Sequence, residues 1–203
     1  MSARVSGTQG YAEDADRLAA NYEARTFEAV QCEVLHLIPS QPSRVLDIGA
    51  GTGRDATALA SRGHRVTAME PTAELRAYGQ RVHAAAAIDW IDDALPDLAI
   101  LRAAGTPFEL VMATAVWMHL DAAERATAMR NVAALVAPSG QFILSLRYGP
   151  VPPGRRMFAV PPEETIAQAA ESGLSPVHRS ARGDLFGRPE ISWTFLAFKK
   201  EGQ

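Results

Sequence analysis

The stretch Arg44-Val45-Leu46-Asp47-Ile48-Gly49-Ala50-Gly51-Thr52-Gly53-Arg54-Asp55 decides how this chain is read. A short apolar run enters a turn with glycine at alternate positions. A helix pattern follows over Asp55–Arg62, with Gly63 placed to cap its end. Glycine tolerates positive φ and lets a ligand approach the main chain without meeting a Cβ. The unpaired N–H groups of the following helix face whatever sits on that turn. Such a unit opens a nucleotide-binding α/β sheet, in which ligands lie beyond the carboxyl ends of the strands.

Working outward, apolar runs that suit strands recur at Arg44–Ile48, Arg65–Met69, Ile88–Ile91, Phe108–Ala113, Gln141–Arg147 and Trp193–Lys199. Most lack strict alternation, the pattern of strands covered on both faces. Helix signals lie between them. Asp121 with Glu124 forms a capping-box-like start to a helix running to about Val136, with Pro138-Ser139-Gly140 as its stop. Pro162, ahead of Glu163 and Glu164, opens another that ends near Gly173. An N-terminal helix is expected to carry Leu18, Tyr22, Val30, Val34 and Leu37 on or near one face and to stop before Pro39. Alternation of this kind predicts a doubly wound, mostly parallel sheet with helices on both faces. The segments up to Trp193–Lys199 leave little room for a helical crossover, so a hairpin and an antiparallel C-terminal strand are expected there.

Composition sets the outer bounds. At 203 residues, with 47% hydrophobic and 21% charged residues, the chain reads as one soluble globular domain rather than a disordered one. A single cysteine, Cys32, excludes a disulfide framework and a cysteine-based zinc site, and no metal site is expected. The net charge of −3 lacks the basic excess of a duplex-binding protein, so no nucleic-acid partner is expected. No apolar run reaches the roughly 18 residues of a membrane span, and no membrane partner is expected. The opening MSARVSGTQG lacks the apolar core of a secretion signal, which makes a cytoplasmic location the expectation.

The glycine spacing separates two cofactors. A dinucleotide fingerprint needs G-x-G-x-x-G, which would put its third glycine at position 54. That position is Arg54, the glycine falls at Gly53, and Asp47 precedes the first one. This D-x-G-x-G-x-G order resembles motif I of the class I S-adenosylmethionine-dependent methyltransferases. Three further segments match that family in order. Arg65-Val66-Thr67-Ala68-Met69 ends in Glu70 before Pro71, Trp90-Ile91-Asp92-Asp93-Ala94-Leu95-Pro96 looks like the acidic motif after the third strand, and Phe108–Leu120 looks like the fourth strand with its loop.

The resemblance implies one domain over residues 1–203, with a seven-stranded sheet. Residues 1–42 would form a helical cap, 43–147 the cofactor-binding half, and 148–203 a substrate-side loop and the C-terminal strands. It implies S-adenosyl-L-methionine as cofactor and S-adenosyl-L-homocysteine as product. Asp47, Gly49, Ala50, Gly51 and Gly53 would form the cofactor turn, and Glu70 and Pro71 would meet the ribose. Ile91 with Asp92 or Asp93 would meet the adenine, and Thr114 and Ala115 would lie beside the sulfonium. Tyr22 would close over the cofactor or else join the apolar stripe. His119, just past the fourth strand, is a candidate general base by virtue of its near-neutral pKa, though its apolar neighbours equally suit a structural role. Trp117 is either a substrate contact or a core aromatic. The basic, proline-rich loop Arg147–Arg156 supplies Arg147 and Arg155, whose forks suit a carboxylate or phosphate unless nearby acids pair with them.

Methyl transfer from a sulfonium is an in-line displacement that chiefly needs alignment, worth up to about 7–11 kcal/mol in well-oriented systems. The Asn-Pro-Pro-Tyr-like motif of nucleic-acid amino-methylating relatives is missing, and Thr114-Ala115-Val116-Trp117 stands there, so a small-molecule acceptor is expected. Two other functions share these features: an NAD(P)-dependent oxidoreductase, and a non-catalytic module that binds cofactor or a protein partner.

Overall fold

The computed structural model describes Val5 and residues 7–202. Its centre is a seven-stranded sheet in the order β3-β2-β1-β4-β5-β7-β6. The strands are β1 (Arg44–Ile48), β2 (Arg65–Met69), β3 (Ile88–Ile91), β4 (Phe108–Ala113), β5 (Val136–Tyr148), β6 (Leu174–Gly183) and β7 (Ser192–Lys200). β7 runs antiparallel to both β5 and β6, and the β1–β5 pairings are parallel. Strand order reverses where β1 meets β4, which is where an α/β sheet opens a crevice beyond its carboxyl ends.

The helices are α1 (Ala15–Glu23), α2 (Phe27–Val30), α3 (Arg54–Ser61), α4 (Ala73–Val82), α5 (Ala99–Ala104), α6 (Ala122–Leu135) and α7 (Pro162–Glu171). Two buried clusters cover the two faces. One joins Trp117, Phe142 and Phe198 with α5–α7 residues; the other joins Phe27, Val34, Leu59 and Phe195 under α2 and α3. α6 starts on the expected capping box, in which Asp121 and Glu124 each accept the other's backbone N–H. α3 ends at Ser61, with Gly63 at φ 88° just beyond it.

The expected continuous N-terminal helix is broken. Thr26 adopts an extended conformation and accepts the Ala29 amide, which restarts the chain as α2, and a 3₁₀ turn follows at Leu35–Leu37. Of the predicted stripe only Val34 is fully buried, whereas Leu18, Tyr22 and Val30 face the crevice. The Pro138-Ser139-Gly140 stop lies inside β5 rather than before it. A register shift against β4 takes up the irregularity, with Ser139 at φ 61°. β6 completes the expected hairpin, but its exposed alternating residues offered no apolar run to find.

Candidate active site

The glycine turn is tied to β2 by its own amides. Gly49 and Ala50 N–H both donate to the Met69 carbonyl, at 2.8 and 2.9 Å. Gly51 N–H donates to Glu70 Oε2 at 2.8 Å, and Thr72 N–H donates to Oε1 at 2.7 Å. Glu70 is thereby fixed at the tip of β2, with Arg76 donating to its backbone carbonyl. Burial raises its pKa, against the opposing pull of those amides. A Cβ at Gly49, where φ is 67°, would sit 2.6 Å from the Val116 side chain. At Gly51, where φ is 58°, it would lie 3.4 Å from the Tyr22 ring, which spans the turn.

Behind the turn, Asp47 is buried and its Oδ2 has no hydrogen-bond partner. Desolvation holds its pKa well above the ordinary carboxylate range, and the Asp55 charge adds to that. Asp55 accepts from Arg54 Nε and Gln31 Nε2, both at 2.6 Å, while Gln31 also donates to Thr114 Oγ1 at 2.8 Å. These bonds stitch α2, α3 and the end of β4 together under the crevice. Ala115 follows at φ 59°, an uncommon conformation for a residue with a Cβ, and its N–H donates to Ser145 Oγ at 2.9 Å.

The crevice is a cavity of about 660 Å³, within the range of small-molecule sites. Asp47, Gly49, Ala50, Gly51, Glu70, Pro71, Thr114, Ala115, Tyr22, His119, Arg147 and Arg155 all line it. Five expected residues do not. Gly53 caps α3 at φ 82°, and a Cβ there would meet the Trp90 ring at 2.7 Å, so its glycine serves packing. Ile91 packs on the core. The Asp93 carboxylate is taken by the amides of Ala94, Ile100 and Leu101, which start α5. Asp92 points to solvent and pairs with Arg76 at 2.7 Å. From that loop Ala94 and Leu95 line the cavity instead. Trp117 is fully buried against Phe142, with ring centroids 5.7 Å apart, which corrects its expected substrate contact to a core role.

His119 ends a 3₁₀ turn and is nearly buried. Its Nδ1 lies 2.8 Å from the Arg156 carbonyl, which can only accept, so Nδ1 carries the proton. Nε2, 2.9 Å from the Tyr11 hydroxyl, therefore accepts from it in the neutral ring. Burial lowers the His119 pKa, and the charges of Arg155, Arg147 and Arg156 lower it further. Tyr11 is pushed up to about 12, chiefly by burial. Arg155 stacks on the Tyr11 ring at 4.4 Å and donates to Asp14 Oδ2 at 2.8 Å. The acids that hold Arg155 and Arg156 are Asp14, Asp121 and Glu124. Sequence reading missed Tyr11 and Gln31, because only the tertiary fold brings them to the crevice; no local pattern marks either.

Another side of the cavity is built by the end of β5, by β7 and by the β6–β7 connection. Asp184, Arg182, Arg188 and Trp193 line it, and none was anticipated. Asp184 is gripped by Arg188 through two bonds of 2.7 and 2.8 Å, which holds its carboxyl far below the usual range.

Residues 45–140 match the sequence model of a family described as a methyltransferase domain. No curated protein matches the chain. Among solved structures, magnesium protoporphyrin IX methyltransferase from Synechocystis, with bound S-adenosylmethionine, aligns at TM-score 0.67 and 16% identity, covering 95% of this chain and 85% of that one. The 1,6-didemethyltoxoflavin-N1-methyltransferase of Burkholderia thailandensis aligns at TM-score 0.66 and 20% identity, covering 94% and 88%. A TehB-like methyltransferase from Corynebacterium glutamicum aligns at TM-score 0.68 and 18% identity, covering 94% and 98%. Residues 45–140 thus resemble a methyltransferase domain, and the chain as a whole shares the fold of these S-adenosylmethionine-dependent methyltransferases.

Proposed function

We propose that this protein transfers the methyl group of S-adenosylmethionine to a small-molecule acceptor. One observation carries the reading: the glycine turn places the Glu70 carboxylate and the unpartnered Asp47 oxygen side by side on the wall of one crevice. Glu70 has lone pairs left after accepting two amides, enough for ribose hydroxyls. Asp47 has a buried oxygen with no partner, to which the cofactor's ammonium would bring a donor and a positive charge. Ala94, Leu95 and Leu75 offer an apolar wall for the base, and Thr114 and Ala115 end β4 where the sulfonium would lie. When bound, the cofactor supplies an electrophilic methyl on a good leaving group, so the protein's task is to align a nucleophile with it.

His119 acts as a positioning residue. Its neutral ring orients the Tyr11 hydroxyl, and three arginines oppose any proton it would take up. Titration calorimetry with S-adenosylmethionine, S-adenosylhomocysteine and NAD tests the reading: the first two bind and NAD does not. Binding of NAD with refusal of both sulfur nucleosides would overturn it. Labelled cofactor mixed with metabolite extract then separates an enzyme, which yields labelled product, from a binding module, which does not.

A further inference from the structure

Across β5, β7 and β6, Arg147, Trp193 and Arg182 stand opposite one another in register. Ser145 and Arg147 share a strand face, since side chains alternate, so the row begins one step from the Ala115 amide that Ser145 holds. Arg147, Trp193 and Arg182 all line the cavity, as does Arg25 from the end of α1. Of these cations, Arg147 has only the Met157 sulfur, at 4.0 Å. Arg182 and Arg25 donate only to backbone carbonyls, and each keeps a buried Nε with no acceptor. Among the described residues none of the three has a carboxylate within ion-pair distance. The one acid on this wall, Asp184, is already claimed by Arg188, the Trp193 indole N–H at 3.3 Å and the Phe186 amide at 3.0 Å.

A half-buried guanidinium without an anion is electrostatically incomplete, and its planar fork matches a carboxylate. Phe195 under Arg182 and Phe186 under Arg25, at 5.1 and 4.6 Å, give the same wall flat apolar faces. The Asp184 charge beside the row disfavours a ligand with more than one negative charge. We propose that the Arg147–Trp193–Arg182 row is the acceptor subsite and that it takes the carboxylate of a small aromatic or apolar monoacid, with Arg147 as its anchor. This rests on the methyltransferase reading above.

The test uses S-adenosylhomocysteine-loaded protein titrated with matched pairs: benzoate against benzamide, and indole-3-acetate against indole-3-acetamide. At least one acid is expected to bind 10-fold or more tighter than its amide. That preference should vanish in Arg147→Met, whose S-adenosylhomocysteine affinity, measured on the same sample, stays at the wild-type value and reports an intact fold. Equal binding within both pairs, no binding of any probe, tighter binding of phenyl phosphate than of benzoate, or a preference that survives Arg147→Met would each overturn the proposal. Failure to bind S-adenosylhomocysteine at all would sink the methyltransferase reading, and this subsite with it.

Discussion

Glu70 works on both sides of its carboxylate, toward two amides of its own chain and toward the cavity. Glu70→Ala is therefore expected to weaken S-adenosylhomocysteine binding by about 1–3 kcal/mol, the cost of losing charge-assisted bonds and leaving partners unsatisfied. Calorimetry showing wild-type affinity would remove Glu70 from the site. His119 makes a prediction about pH. Its folded pKa lies below the ordinary 6.5, so the unfolded chain takes up a proton first as pH falls. The stability this residue lends is complete above about pH 6.5 and is lost as pH drops through the folded value. Melting curves from pH 7.5 to 5.5 should thus show a smaller loss of Tm for His119→Gln than for wild type. Equal losses would mean that the ring titrates normally.

Elements are positioned here by close backbone approach. Gly79 sits in α4, where alanine is favoured by about 1 kcal/mol on helix propensity alone. Yet a Cβ there would lie 2.5 Å from the Thr52 carbonyl and 2.6 Å from the Trp90 ring. Overpacking against backbone outweighs propensity, and Gly79→Ala is expected to destabilise by about 1–3 kcal/mol in urea unfolding and to weaken cofactor binding through the displaced turn. A neutral result would show that α4 can slide away from the turn. This dependence explains what was legible in the sequence. The turn at residues 49–53, the Asp121 cap and the strand tips are local and announce themselves by residue type. Asp93 serves its own backbone, a role that a D-D pair does not disclose. β6 escaped because an edge strand with Pro176, His178, Arg179 and Arg182 presents polar residues that guard a free edge rather than an apolar run.

At the scale of the whole molecule, the glycine-turn side of the cavity is built mostly from neighbouring stretches of chain, while the other side is assembled from the N-terminal segment, the proline loop and the last hairpin. That division fits a family-model match confined to residues 45–140, and a sequence resemblance whose ordered motifs lie within residues 43–147. It also predicts how the folded state answers its ligand. S-adenosylhomocysteine at 100 times its Kd should add about 2.7 kcal/mol to global stability, because unfolding scatters every strand tip that forms the site. A thermal scan with a rise in Tm for S-adenosylhomocysteine and none for NAD checks this; identical melting with and without it would contradict it.

The Asp14 carboxylate joins residues 141 positions apart: a single oxygen receives Arg155 at 2.8 Å and Arg17 at 2.6 Å. The proline loop and the chain around Tyr11 are thereby latched through a buried Arg155 side chain, while Arg17 on the same oxygen is exposed and open to screening by salt. With Arg155 also stacked on the Tyr11 ring and donating to the Gln9 carbonyl, one carboxylate far from the glycine turn holds the cavity's two remote flanks as a single wall.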